Sequence, residues 1–179
     1  SLAGMTKATV ADTICALAVE TPLESQPIDP PTITVTFGIN DSPLAGREGS
    51  KVQSRVIRDR LMKEAESNVA IKIKDTPSGD AFEVAGRGEL QMGVLIENMR
   101  REGFELSISR PQVLMKEEDG QKLEPIEEVT IDVDDEYTGA VIEKITGPRK
   151  GDLVEMKPSG VGKTRLIAKV PARGLIGYH

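Results

Sequence analysis

A chain of 179 residues can hold one large domain or two small ones, and at 38% hydrophobic and 29% charged it has the composition of a folded globular protein. Two Tyr, three Phe and no Trp are too few rings for the base-stacking mode of single-strand binders. One cysteine, Cys15, excludes an internal disulfide and fits a reducing compartment. The net charge of -6 is uneven: residues 1–29 hold one Lys against four acids, residues 30–116 hold 13 Lys/Arg against 12 acids, and residues 117–179 hold nine against 13. Bulk charge does not attract nucleic acid, so any such contact has to come from local clusters. No apolar run approaches membrane-spanning length and no signal-peptide pattern opens the sequence, so the expected setting is soluble and cytoplasmic, with no membrane partner.

Residues 1–29 carry short apolar pieces without a strong period, and Thr21 to Pro31 has four prolines in eleven residues, the composition of a semi-rigid linker. Cys15 reads as a small buried hydrophobe, because a nucleophile would want a partner histidine and the single one is His179.

From Thr32 the patterning is strong. Ile33, Val35, Phe37 and Ile39 alternate with Thr32, Thr34, Thr36 and Gly38, a one-faced strand. Asn40 to Ser50 is turn chemistry, and Ser50 is placed to cap a helix over about Lys51 to Ser67 with Val52, Val56, Ile57, Leu61 and Ala65 inward. Val69, Ile71 and Ile73 alternate as a second strand, and Thr76-Pro77-Ser78-Gly79 turns into a third around Phe82 and Val84. Gly86-Arg87-Gly88 breaks that strand, and a helix begins with Glu89 at the positive end of its dipole. Met92, Leu95, Ile96 and Met99 follow at helical spacing, and Gly103 is placed to close it. Phe104, Leu106 and Ile108 then alternate until Pro111. The order β-α-β-β-α-β predicts an α+β, ferredoxin-like split βαβ sandwich over residues 30–116.

After an acidic linker, Glu117 to Glu127, the grammar restarts over 117–179. Val129, Ile131 and Val133 form a strand, Tyr137 to Ile145 a helix closed by Gly147-Pro148, and Leu153, Val154 and Met156 a strand. Lys157 to Gly160 predicts a turn, and Leu166, Ala168 and Val170 a further strand ending at Ala172-Arg173-Gly174. This second ferredoxin-like module is expected to be incomplete, one helix and one strand short, with about thirty further residues or a neighbour supplying them. Its Arg173-Gly174 stands at the same strand-to-helix junction as Arg87-Gly88.

Two chemistries fail on spacing. Gly160-Val161-Gly162-Lys163-Thr164 ends like a phosphate-binding loop, but Lys157 stands where the first glycine is needed and a strand follows instead of a helix. Asp132 to Tyr137 lacks the glycine of a calcium loop, and one His with one Cys makes no zinc site. No catalytic, cofactor or metal residue is assigned.

The segment DAFEVAGRGELQMGVLIENMRREGFELSISRPQV, with SPLAGREG before it and GDLVEM and ARGLIGY after it, closely resembles the BipA/TypA family of translational GTPases, relatives of elongation factor G. The resemblance implies that residues 1–29 are the tail of a β-barrel domain, that 30–116 match the third domain of elongation factor G, and that 117–179 begin its fifth-type domain. It also implies a bacterial ribosome as partner, through rRNA and ribosomal proteins at the elongation-factor site, and roles in ribosome assembly and in cold or stress growth. GTP and Mg would belong to the family's nucleotide-binding domain, outside this stretch; with the family's C-terminal domain, that domain would be a partner within one longer chain.

The residues left to carry function are cations at chain breaks: Arg47 in Gly46-Arg47-Glu48-Gly49, Lys51 and Arg55 after it, Arg87 and Arg173 before helix N-termini, Arg149 and Lys150 in the Gly147 to Gly151 loop, and Lys163 on a hairpin. Each is either a contact to RNA backbone or an ordinary solvated charge. Arg100-Arg101 lies beside Glu97 and Glu102 and reads as locally paired. Leu90 and Val94 project away from the apolar stripe of their helix, as filler under a loop or as the seat of another domain. A stand-alone regulatory module of paired ferredoxin-like domains with a small ligand is the alternative reading. An acyl-phosphate hydrolase would need a dense glycine loop between Asn40 and Arg47 that the sequence lacks.

Overall fold

The computed structural model describes residues 3–5, 8 and 10–178, so His179 lies outside the described residues. The chain divides into two compact units, Ser1–Arg110 and Pro111–His179, which places residues 111–116 with the second unit instead of the first. Among the described residues of 3–31 no helix or strand forms. Cys15 is therefore exposed, contrary to the expectation of burial: this segment builds no core to receive it. Among the described residues no helix is long and apolar enough to cross a membrane.

In the first unit, β1 (Ile33–Ile39), α1 (Ser54–Ser67), β2 (Lys72–Asp75), β3 (Ala81–Gly86), α2 (Glu89–Arg101) and β4 (Leu106–Ile108) follow the expected order. The strands lie β2-β3-β1-β4, all antiparallel, which is the split βαβ arrangement. Period-2 alternation decides which side is covered. Val35 faces Val84 and Phe37 faces Phe82 in register, and all four are buried with Ile57 and Leu61 of α1 and Met92, Leu95 and Met99 of α2. Thr34, Thr36 and Glu83 take the opposite face of the sheet.

Two boundaries differ from expectation. α1 starts at Ser54 after an N-cap at Gln53, not at Lys51 after Ser50. Lys51 is held elsewhere: its N–H donates to the Gly103 carbonyl (3.0 Å) and its carbonyl accepts from Glu105 N–H (3.2 Å), a parallel bridge to Phe104. β2 starts at Lys72 because Asn68 turns the chain, its Oδ1 accepting from Ala70 N–H (3.2 Å) and its carbonyl from Ile71 N–H (3.0 Å). Gly103 does close α2, with φ +88, while Phe104 N–H reaches Met99 O and Gly103 N–H reaches Arg100 O, the paired bonds of a Schellman end.

The second unit contains β5 (Gln112–Val113), the hairpin β6 (Lys116–Glu118) and β7 (Gln121–Leu123), β8 (Ile126–Asp134), a 3-10 turn (Asp135–Tyr137), α3 (Thr138–Thr146), β9 (Asp152–Gly160), β10 (Lys163–Pro171) and α4 (Ala172–Leu175). The stretch expected as an acidic linker thus holds a hairpin, with Asp119 (φ 51) and Gly120 (φ 75) supplying the left-handed pair that a two-residue turn needs. The main sheet runs β8-β10-β9, three positions of the same strand order as the first unit. Ile145 of α3 packs on Ala168 and Val170 of β10, with Val129, Ile131, Val141, Leu175 and Tyr178 around them. Lys157 to Gly160, expected as the turn, belongs to β9; Pro158 is tolerated because β9 is an edge strand, and Val161-Gly162 makes the turn. The glycine-rich segment is therefore a hairpin followed by β10, as its spacing predicted.

Candidate functional site

In the first unit the loop after β1 carries Arg47 and runs into Lys51 and Arg55. Loop residues 41–48 are all exposed, including Leu44 at 56%, so no apolar contact anchors them. The anchor is Glu105, which the alternating pattern had placed outward but which is only 8% exposed. Glu105 Oε1 accepts from Asn40 Nδ2 (2.5 Å), and Oε2 accepts from the backbone N–H of Gly46 (2.9 Å) and of Gly49 (3.2 Å). Burial alone would raise this carboxyl, but the bonds from Asn40 and from the loop N–H groups of Gly46, Gly49 and Glu48 outweigh it and hold it below the usual carboxylate range. Lys51 places its ammonium 4.7 Å from the centre of the Phe104 ring. Arg55 is exposed on the first turn of α1.

Arg87 sits in the turn between β3 and α2. Its N–H donates to Gln91 Oε1 (2.9 Å), its carbonyl accepts from Thr32 Oγ1 (3.0 Å), and its guanidinium reaches Asp29 (2.5 Å). The structure brings Arg87 together with Leu90 and Val94, which sequence reasoning kept apart: with Ile71, Gln91 and Asn98 they line an apolar concavity of about 450 Å³. Leu90 is 82% and Val94 52% exposed, while Met92, Leu95 and Met99 on the other face are buried.

In the second unit Arg173 lies inside α4, not ahead of it, and donates to Glu124 (2.6 Å), which raises its guanidinium pKa through that bond and the nearby charge. Arg149 is half-buried and turns back onto its own unit. Its guanidinium donates to the Gly174 carbonyl, reaches those of Ile176 and Gly177 (3.4 Å each), and stacks 4.5 Å over the Tyr178 ring. A Cβ at Gly174 would collide with the Arg149 carbonyl oxygen, so only glycine fits there. Arg149, Arg173, Lys144, Pro148, Gly174 and Tyr178 line a polar concavity of about 580 Å³. Lys150, next to it, is exposed with φ +59. Lys163 stands apart at the β9–β10 hairpin, where Arg165 forks onto Asp132 (2.8 and 2.7 Å). That bond, against the opposing effect of partial burial, lowers Asp132 to about 2.

The remaining charges are structural pairs. Arg60 of α1, only 17% exposed in its side chain, forks onto Glu102 (2.7 Å) and also bonds Glu64 (2.9 Å), tying α1 to the end of α2. Glu97 takes Arg101 (3.1 Å) and lies 3.9 Å from Arg100, the local pairing expected there. Among the described residues no group of three His, Cys, Asp or Glu could hold a metal ion. What the geometry offers is a set of cations at turns and helix starts, with Arg87 beside one concavity and Lys144, Arg149 and Arg173 beside the other.

Comparison with known proteins identifies the lineage. The family model described as "Elongation factor G C-terminus" matches residues 121–179. "Large ribosomal subunit assembly factor BipA" of Bacillus subtilis (strain 168) is 48% identical over 178 residues, 99% of this chain. Proteins of the same description from Haemophilus influenzae and Escherichia coli (strain K12) are each 48% identical over 179 residues. The chain belongs to the BipA family. It spans 29% of the length of those family members. A solved structure from Thermus thermophilus overlays on 88% of the chain and 38% of its own length with a TM-score of 0.49 and 13% identity.

Proposed function

We propose that this chain is the ribosome-docking portion of a BipA-type translational GTPase, with its contacts made by shape and charge to ribosomal RNA backbone and ribosomal proteins at the elongation-factor site. The observation that carries the reading is similarity along essentially all of this chain, at 48% identity, to 29% of the length of proteins described as large ribosomal subunit assembly factors. The exposed cations supply the means: Arg47 on its loop and Arg55 on α1 in the first unit, Lys150 and Lys163 in the second, with Arg173 of α4 once its pair with Glu124 is accounted for. Arg87 and Lys51 contribute once their present partners, Asp29 and the Phe104 ring, are accounted for. Leu90 and Val94 form the apolar seat of a neighbouring domain of the same protein. Residues 1–29 are the tail of a preceding barrel, GTP and Mg are held by a nucleotide-binding domain elsewhere in the protein, and the biological role is large-subunit assembly in cold or stress.

The test is binding of the intact protein to purified ribosomal subunits across a salt series. The Lys150→Ala/Arg173→Ala and Arg47→Ala/Arg55→Ala pairs should each weaken binding and flatten the salt dependence by about 0.7–1 log unit per lost phosphate contact. Unchanged binding with an unchanged slope in both pairs refutes the proposal.

A further inference from the structure

Glu105 presents a problem that the docking reading leaves unsolved. It is the one buried carboxylate among the described residues, and no Lys or Arg among them lies within ion-pair distance of it. A buried charge needs a compensating set of partners, and here they are all N–H donors of one loop, 56 to 65 residues away in sequence. The other bonds within residues 40–48 are local and do not attach the loop to the sheet: Ser42 N–H to Asn40 Oδ1 (3.1 Å), Leu44 N–H to Ser42 Oγ (3.3 Å), Ala45 N–H to Ser42 O (3.0 Å) and Arg47 N–H to Leu44 O (3.4 Å). Because loop residues 41–48 bury nothing, their conformation rests on the carboxylate.

The anchor points have a pattern. Gly46 and Gly49 are held by Glu105, and Lys51 is bridged to Phe104, so three positions in a six-residue run are fixed on residues 103–105. Glycine is required at two of them. Gly46 has φ +86, and a Cβ at Gly49 would come within 2.6 Å of the Gly103 carbonyl oxygen. Between these anchors stands Arg47, exposed, one residue from one anchor and two from the next. The backbone on both sides of a cation is thus set by an anion that never touches it.

We infer that Glu105 is a positioning residue: its clamp on Asn40, Gly46 and Gly49 sets Arg47, with Lys51 and Arg55 following on the same stretch, to meet a polyanionic backbone. The inference rests on the docking reading and adds how its first contact is built. Both oxygens of Glu105 are engaged by the loop, so the carboxylate keeps its charge but is turned toward the N–H donors of the loop.

The experiment is a double-mutant cycle on the intact protein, reading ribosomal-subunit affinity and its salt slope, with amide exchange of residues 42–49 measured alongside. Glu105→Gln keeps the size but turns an amide NH₂ toward N–H donors. Arg47→Ala should weaken binding several-fold, on the order of 5-fold, and cut the slope by about 0.7–1. Glu105→Gln should do the same, and the double variant no more than either alone. Asn40→Ala, which removes one donor to Glu105 and the local acceptor of Ser42 N–H, enters the same cycle, so an unfolded Glu105→Gln protein does not end the test. Additive losses, or faster exchange in 42–49 with unaltered affinity and slope, overturn the inference. If the loop variants are silent while Lys150→Ala/Arg173→Ala weakens binding, the positioning role alone fails; if all are silent, the docking reading fails with it.

Discussion

Replacing Arg149 with alanine separates a cation that holds the protein together from one that reaches outward. The wild-type guanidinium donates to the Gly174 carbonyl and stacks on Tyr178, with weaker reach to Ile176 and Gly177. A hydrogen bond from a charged donor contributes about 1.5–3 kcal/mol, and an exposed cation–π contact about 0.5–1 kcal/mol. Water reaches the half-buried site and replaces part of this, leaving a loss of about 2 kcal/mol, or roughly 30-fold in a local opening equilibrium. The reporter is the Tyr178 amide, bonded to Leu175 O at 3.0 Å, whose hydrogen exchange should accelerate by that factor. Arg149→Lys should recover little of it, because a compact ammonium on a shorter side chain lacks the planar spread of donors that reaches separate carbonyls while lying flat on a ring. Exchange at Tyr178 unchanged in the alanine variant, or fully restored by lysine, would refute the assignment of Arg149 to structure.

The two faces of α2 should separate in denaturant titrations: Met99→Ala, fully buried, costs about 2–5 kcal/mol, whereas Leu90→Ala, 82% exposed, stays within about 0.5 kcal/mol. Arg60→Met, which removes the tie between α1 and Glu102, should lower urea stability by about 1–2 kcal/mol; no loss would mean the fork contributes no net stability. The Asp132 carboxyl should titrate by NMR with a midpoint of about 2, and return toward the ordinary value near 3.9 in Arg165→Met. A depressed folded-state value means that this contribution is present above pH ~4 and lost as the pH falls toward 2, so the variant should also have a shallower acid-side stability profile.

The strands and helices that make the first core were legible because each obeys one period over a useful length. Ile33, Val35 and Phe37 alternate, and Met92, Leu95 and Met99 recur on one helical face; the structure buries all six. The hairpin at Asp119-Gly120 was also written in the sequence, as a two-residue turn signal between short polar strands, but its strands bury nothing and so show no alternation of hydrophobicity. Glu105 escaped for a different reason. The alternation through Phe104 and Leu106 put it outward, yet the chain there leaves the sheet to bridge Lys51, and residues 104 and 105 are both buried. The clue was a loop rich in N–H donors with no apolar residue inside, and nothing local says which of twelve acids in residues 30–116 answers it. The pairs Arg87–Asp29 and Arg173–Glu124 span 58 and 49 residues, beyond any short-range rule.

The distance between Asn40 and Glu105 has a consequence for how the protein is made. A chain synthesised from its N-terminus produces the Arg47 loop about 65 residues before the carboxylate that fixes it. Its neighbour β1 waits as well, since a central strand bonded to both β3 and β4 is complete only when Leu106–Ile108 arrives. Local helices can form early, but these long-range closures come late and set the folding rate of the unit. The Arg47 loop is therefore among the first parts of the unit to be synthesised and among the last to acquire a shape, with its arginine unable to take up its final position until the unit around it is built.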